Sequence, residues 1–178
     1  MTVFNTKYQT LYGMQLDDWT KSWGGVSYNT YLTEQSDYFN GNLNNTATTD
    51  ADDIRFLYPK APSNTYYLDG LLEGFFTVYN ADGGSTATFT SYTAYLKYTE
   101  DASDSEVTIE SFANTVSDSI GTTSYGVYPI MMFLEHEEIP KATRLLLHIN
   151  IVHSGGDLEF SHANDDTNHD LMVRIPFF

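Results

Sequence analysis

The side chains whose types and spacing come nearest to a chemical site lie in one acidic loop, Asn164-Asp165-Asp166-Thr167-Asn168-His169-Asp170. Asp166, Asn168 and Asp170 have the D-x-N-x-D spacing that opens a calcium loop, because a hard cation takes several oxygen ligands from one tight turn. The pattern is then interrupted: Leu171 stands where the turn glycine belongs and Phe177 where the bidentate acid belongs. Calcium held by Asp166, Asn168 and Asp170 competes with a solvated hairpin loop, and no other cofactor is expected. His136-Glu137-Glu138-Ile139-Pro140 begins like the zinc-protease H-E-x-x-H, but Pro140 replaces the second ligand. His148 and His153 have opposite strand parity and share a face only across a bulge, whereas His162 and His169 flank the acidic loop and could approach each other as a metal-binding or pH-responsive pair.

Nucleophile and nucleotide motifs are missing. There is no G-x-S-x-G elbow, no phosphate-cradling glycine loop and no dinucleotide fingerprint. A glycosidase needs only two acids across a cleft, so the 24 Asp and Glu offer many pairs and select none. Surface charge is the expected role of these carboxylates, and a hydrolase would require a deep cleft with two of them facing each other.

Composition narrows the partners. Eight Lys and Arg against 24 Asp and Glu leave a formal charge of −16, which repels nucleic acid and anionic membranes. Without cysteine there is no disulfide, thiolate nucleophile or thiolate metal site. The start, Met1-Thr2-Val3-Phe4-Asn5-Thr6-Lys7, is not a basic segment followed by an apolar run, and no stretch reaches the roughly 18 apolar residues of a membrane span. A soluble protein without a classical export signal is the expectation. Frequent Tyr, Thr, Ser and Asn suit hydroxyl-rich sheet faces that contact proteins or glycans.

The elements that must position any site are strands. Leu145, Leu147, Ile149 and Ile151 alternate with polar residues, Ser154-Gly155-Gly156-Asp157 supplies a turn, and Leu158, Phe160, Leu171, Val173, Ile175 and Phe177 continue the inward set. Three antiparallel strands, the first two a hairpin, are therefore expected to close the chain. Each such side chain is worth roughly 1.5 to 3 kcal/mol when buried, before conformational entropy is set against it. A second hairpin is expected from Tyr66–Tyr79 and Ser85–Thr99 around Asn80-Ala81-Asp82-Gly83-Gly84, with Tyr92, Ala94, Leu96 and Tyr98 on one parity. Ile54–Tyr58 reads as a strand stopped by Pro59, and a short strand is expected near Ser27–Leu32. Asn40–Asp53 and Ala113–Ser124 read as polar loops, and Glu135–Glu138 as a turn after an apolar run from Tyr125 to Leu134. At the N-terminus Phe4, Tyr8, Leu11, Tyr12, Leu16, Trp19 and Trp23 fall close to a helical stripe ended by Gly24-Gly25, but Gly13 interrupts it at a cost of about 1 kcal/mol. A helix and an extended arm both remain open for residues 1–25, followed by one β domain over 26–178. The expectation is all-β: an antiparallel β-sandwich, preferably a jelly roll.

The acidic, cysteine-free chain with its aromatic N-terminus, Leu57-Tyr58-Pro59, and the closing segments LLLHINI, SGGDLEF and LMVRIPF resembles β-sandwich virion structural proteins of tailed bacterial or archaeal viruses, of the capsid decoration, turret, fibre or tail-accessory kind. That resemblance implies a non-enzymatic module on a virion surface, assembled as a trimer or pentamer and contacting other capsid or tail proteins. Phe4, Tyr8, Tyr12, Trp19, Trp23, Phe177 and Phe178 are the interface candidates. The alternative is a carbohydrate-binding sandwich that displays aromatics for host-surface glycans, with or without calcium.

Overall fold

A computed structural model describes residues 6–15, 21–23, 26–28, 30–34, 48–50, 53–100, 105–161 and 171–178. In chain order the strands are β1 (Lys7–Gln15), β2 (Lys21–Trp23), β3 (Val26–Tyr28), β4 (Thr30–Thr33), β5 (Thr48–Asp50) and β6 (Asp53–Leu57). Long strands follow: β7 (Tyr66–Asn80), β8 (Ala87–Glu100), β9 (Glu106–Ile120), β10 (Tyr125–Ile139) and β11 (Thr143–Ser154). β12 (Leu158–Ser161) and β13 (Met172–Phe177) complete the set, and the described residues contain no helix. The fold is all-β, as the alternation implies, and almost wholly antiparallel.

One sheet holds all strands except the small β2–β3 ribbon. β7 carries β10 along one side, and β13 and β12 end to end along the other, with β5 beyond β12. From β13 the sheet passes to β1 and β4, crosses a single parallel bridge at Tyr31 and Leu57, and continues through β6, β11, β8 and β9. The sheet is folded so that its β7–β10 part faces its β8–β9 part. Phe76 meets Tyr92 edge-on at 4.9 Å, Phe89 meets Tyr128 at 4.4 Å, and the Tyr128 hydroxyl reaches the Asp118 carboxylate at 3.1 Å. Offset and edge-on pairs of this kind add about 0.5 to 1.5 kcal/mol each beyond their buried area.

The N-terminal segment is neither helix nor separate arm over the residues described. β1 pairs with β13 on one side and β4 on the other, and Leu11 is fully buried. Gly13, costly in a helix, is suited to this place: a Cβ there would lie 2.9 Å from Leu171 and 3.0 Å from the Phe56 ring. Apolar residues spaced by three and four are thus partly a coincidence of a Tyr-rich strand, and sheet pairing outweighs the helical stripe.

Both expected hairpins have the right turns and the wrong partners. β7 and β8 do not pair with each other; their connection takes the chain from one layer to the other, so their apolar faces meet across the core. Likewise Gly155 and Gly156 adopt φ of 66° and 61°, yet β11 pairs with β6 and β8 while β12 pairs with β5 and β7. The closing strands are therefore dispersed through the sheet. All their inward residues are buried except Phe177, which is half-buried. β11 is covered on both faces, since Arg144, Leu146 and His148 are buried as well.

Three further expectations change. The polar stretch from Ala113 continues β9 to Ile120, because β8 offers it a full ladder of partners. Thr48–Asp50 is strand β5, not loop. Glu135–Glu138 stays within β10, where a bulge between Leu134 and Glu137 and a His136 φ of 54° absorb the irregularity while Leu134 and Ile139 remain buried.

Asn80 fastens one end of the fold. Fully buried, its Nδ2 donates to the carbonyls of Ser85 at 2.9 Å, Ile120 at 3.1 Å and Gly121 at 3.2 Å. Its Oδ1 accepts from the amides of Asp82 at 3.2 Å and Asp157 at 3.1 Å. The turns after β7, β9 and β11 thus converge on one amide side chain. Gly156 leaves room for it: a Cβ there would fall 2.9 Å from that Oδ1 and 2.7 Å from Ala87 Cβ.

Candidate functional site

Strand alternation gives β10 two unlike faces. Tyr128, Ile130, Met132 and Leu134 enter the core, while Tyr125, Val127, Pro129, Met131 and Phe133 all point outward and are exposed. Phe133 is 64% exposed, Val127 56%, Met131 50% and Tyr125 46%. Across the ladder Phe133 lies opposite Leu71, Pro129 opposite Phe75 and Tyr125 opposite Tyr79, so the apolar strip extends onto β7. Its one charged cross-strand neighbour along this stretch is Glu73, opposite Met131, and Arg174 of β13 holds that carboxylate at 3.0 Å. The Arg174 guanidinium also lies 4.1 Å over the Tyr8 ring. Single exposed apolar residues are ordinary on a soluble protein, whereas a contiguous strip of them is a feature that calls for an explanation.

The other edge of β10, which has no ladder partner among the described residues, is less available than its face. Pro129 has no amide to donate, and its carbonyl accepts the Tyr92 hydroxyl at 2.6 Å. A proline and a capped carbonyl in mid-strand blunt strand-to-strand addition.

The opposite layer has a charged outer face. Asp53 and Arg55 of β6, His148 of β11, Lys97 of β8 and Glu106 of β9 form a closed circuit. Arg55 bonds Asp53 at 2.8 Å and Glu106 at 3.2 Å; Lys97 bonds Glu106 at 2.8 Å and His148 Nδ1 at 2.9 Å. His148 Nε2 closes it at 3.0 Å from Asp53, near enough for charge attraction though poorly aligned as a hydrogen bond. Since an ammonium can only donate, Nδ1 is the acceptor and the proton of the neutral ring sits on Nε2. Burial first, and then the positive charges of Lys97 and Arg55, hold the imidazole below its usual 6.5 against the pull of Asp53. Each of these charges is answered within the circuit, which therefore asks for no ligand.

The residues singled out in the sequence are spread over the molecule. Tyr8 is exposed on β1, Tyr12 is half-buried on the same strand, and Trp23 pairs with Val26 in the β2–β3 ribbon. Phe177 packs against Tyr66 at 5.5 Å, while exposed Phe178 meets His136 edge-on and donates its amide to the Tyr67 carbonyl at 2.9 Å. Phe4 and Trp19, and the loop with Asp166, Asn168 and Asp170, lie outside the described residues, as do His162 and His169. No group of three or more His, Asp or Glu able to hold a metal occurs among the described residues. The outward face of β10 is hidden in the sequence because the run Tyr125–Leu134 is apolar at both parities, which masks the alternation. The discriminating signal was Pro129, a residue that belongs on an edge strand.

No family model matches the chain, and no curated protein matches it in sequence. Solved structures do share its fold. A CocE/NonD family hydrolase from Staphylococcus aureus aligns over 97% of this chain at a TM-score of 0.61 and 10% identity. An aminopeptidase from a marine sediment Thaumarchaeota archaeon aligns over 71% at a TM-score of 0.53 and 5% identity. This chain spans 36% of the length of the first and 26% of the second, so in those proteins the similar unit accompanies about twice as much further polypeptide or more. At such identities the likeness extends to the fold alone. No helix among the described residues is long and apolar enough to cross a membrane.

Proposed function

We propose that this chain is a non-enzymatic structural module that assembles with further copies of itself, and that the outer face of β10 and β7 is its contact surface. The observation that carries this reading is the uninterrupted outward set Tyr125, Val127, Pro129, Met131 and Phe133. Charge favours a second copy as the occupant. In a chain of net charge −16 two copies repel over most of their surfaces, but between Glu159 beside Tyr79 at one end and Glu135 at the other the strip carries a single carboxylate, Glu73, which Arg174 neutralises. A closed homo-oligomer follows, and the sequence resemblance is what favours a trimer or pentamer on a virion surface, in which the strip of one copy meets a different patch of the next.

Solution mass is the test. Light scattering is expected to give an integral multiple of 20.1 kDa for the wild type and 20.1 kDa itself for Val127→Asp/Phe133→Asp. A dimer would keep the contact face and overturn the copy number; a monomeric wild type, or a double variant that stays assembled, would overturn the proposal.

A further inference from the structure

At the end of β7 away from Asn80, a separate cleft of about 470 Å³ opens between the β6–β7 connection and the ends of β1 and β13. β7 has 15 residues, so the two ends lie about 45 Å apart at the rise of an extended strand. Tyr66, Phe177 and Pro62 give the cleft an apolar wall, and Gln9, Tyr58 and Asn64 give it a polar one. Backbone bonds fix the wall before any ligand arrives. Ala142 donates to the Pro62 carbonyl and Tyr58 to the Leu145 carbonyl, each at 2.9 Å, and two prolines stiffen the connection at Pro59 and Pro62.

We infer that this cleft binds a neutral saccharide. The volume lies within the range of small-molecule sites, which combine apolar walls with a few convergent polar groups. Tyr66 and Phe177 are tilted by 33° with centroids 5.5 Å apart, a partly exposed aromatic wall. The C–H bonds of a sugar ring, made positive by neighbouring oxygens, are attracted to the negative face of an aromatic ring. Sugar hydroxyls both donate and accept, and the cleft offers the same mixture. The exposed side chains of Ser63, Asn64 and Thr65 hold no partner among the described residues. Gln9 Nε2 donates to the Tyr58 hydroxyl at 3.3 Å, leaving its Oε1 toward the site's acceptor capacity. An anionic ligand is disfavoured. Lys60, the cation in the wall, donates to the Glu34 carboxylate that also accepts the Tyr58 hydroxyl at 2.6 Å, so the pair neutralises itself, and the net charge of −16 repels anions.

Saturation-transfer NMR tests this on the full chain with the methyl glycosides of glucose, galactose, mannose and N-acetylglucosamine as probes. At least one is expected to receive saturation on its ring C–H protons, with affinity on the order of millimolar. Asn64→Ala and Gln9→Ala lie at the surface and spare the core; each is expected to weaken that transfer about tenfold in affinity, equivalent to about 1.4 kcal/mol. Tyr66→Ala is expected to abolish it, with an unchanged far-ultraviolet spectrum as the control for folding. Val127→Asp, on the distant β10 face, is expected to leave it intact. Absence of transfer from every probe, or transfer that survives Asn64→Ala and Gln9→Ala together, would overturn the inference.

Discussion

The two outer faces of this sheet solve the same problem in opposite ways. Over β6, β11, β8 and β9 the outward residues include charges, and Asp53, Arg55, Glu106, Lys97 and His148 satisfy one another in a circuit of contacts from 2.8 to 3.2 Å. Along β10 the outward residues from Tyr125 to Phe133 are apolar and exposed, and across the ladder they meet Leu71, Phe75 and Tyr79 as well as Glu73 and buried Thr77. The first face is satisfied largely from within the chain, because its ion pairs close on one another and Asp53 answers His148 Nε2 by proximity. The second lacks a partner and gains by being covered, since each large apolar side chain moved out of water contributes about 1.5 to 3 kcal/mol. A −16 chain that kept its charges off one strip of sheet has a surface where copies can meet.

Three changes separate the faces further or destroy the frame that holds them back to back. The largest effect is expected from Asn80→Ala. It removes the bonds by which the end of β7, in the apolar layer, holds the turns after β9 and β11, and it strands buried backbone groups. Each stranded group costs about 1 to 3 kcal/mol, so a loss of about 3 to 5 kcal/mol is expected in urea unfolding, while a loss below about 1 kcal/mol would show that water replaces the amide. Next comes Glu106→Gln, which leaves Arg55 and Lys97 without their shared carboxylate. These side chains are 13 to 39% exposed, so solvent screening reduces the cost to about 1 to 2 kcal/mol. Assembly, which belongs to the other face, should not change. A change in solution mass would break the comparison.

The smallest effect is the pH response of His148. Its folded pKa lies below the usual 6.5, so the unfolded chain binds the proton more readily. The stabilisation is present in full above the unfolded value and is lost as pH falls from about 6.5 towards the folded one. Protonation also removes the acceptor lone pair that Lys97 uses. Other groups gain stability over the same range as acid relieves the negative charge, so the diagnostic quantity is a difference. Wild type should lose stability relative to His148→Gln between about pH 7 and pH 5, and parallel stability curves would show that the ring is not held neutral by its surroundings.

Much of this frame could be read from the chain. Alternation located β6, β8, β11 and the inward residues from Leu145 to Ile175, and Asn80 and Gly155-Gly156 marked true turns. Partner choice could not be read. A turn such as Gly155-Gly156 fixes where the chain reverses, but the same φ values serve a tight hairpin and a passage between layers, and only the competition for core positions decides. The N-terminal stripe misled for a related reason: Tyr8, Leu11 and Tyr12 satisfy a period near 3.6 over one turn, while the ladder to β13 and β4 satisfies the backbone of the whole strand. Of the aromatics named as interface, Tyr8 borders the proposed strip through Arg174, whereas Phe177 lines the cleft. The strip itself escaped because apolar residues at both parities look like core, and only the depth of each side chain distinguishes them. His148 reads as an outward polar residue; its burial follows from the circuit on either side of it.

Met131 and Met132 offer the most direct test of the central claim. They are adjacent in sequence and on opposite faces of β10, 50% and 2% exposed in the single chain. Peroxide converts an accessible methionine to its sulfoxide, so the two rates, read on one peptide by mass spectrometry, report whether the outer face is covered. The account predicts that in the wild type at assembling concentration Met131 is protected nearly as well as Met132, and that dilution or Val127→Asp/Phe133→Asp exposes Met131 alone. Rapid oxidation of Met131 in the wild type at every concentration, at the rate seen in the double variant, would contradict it.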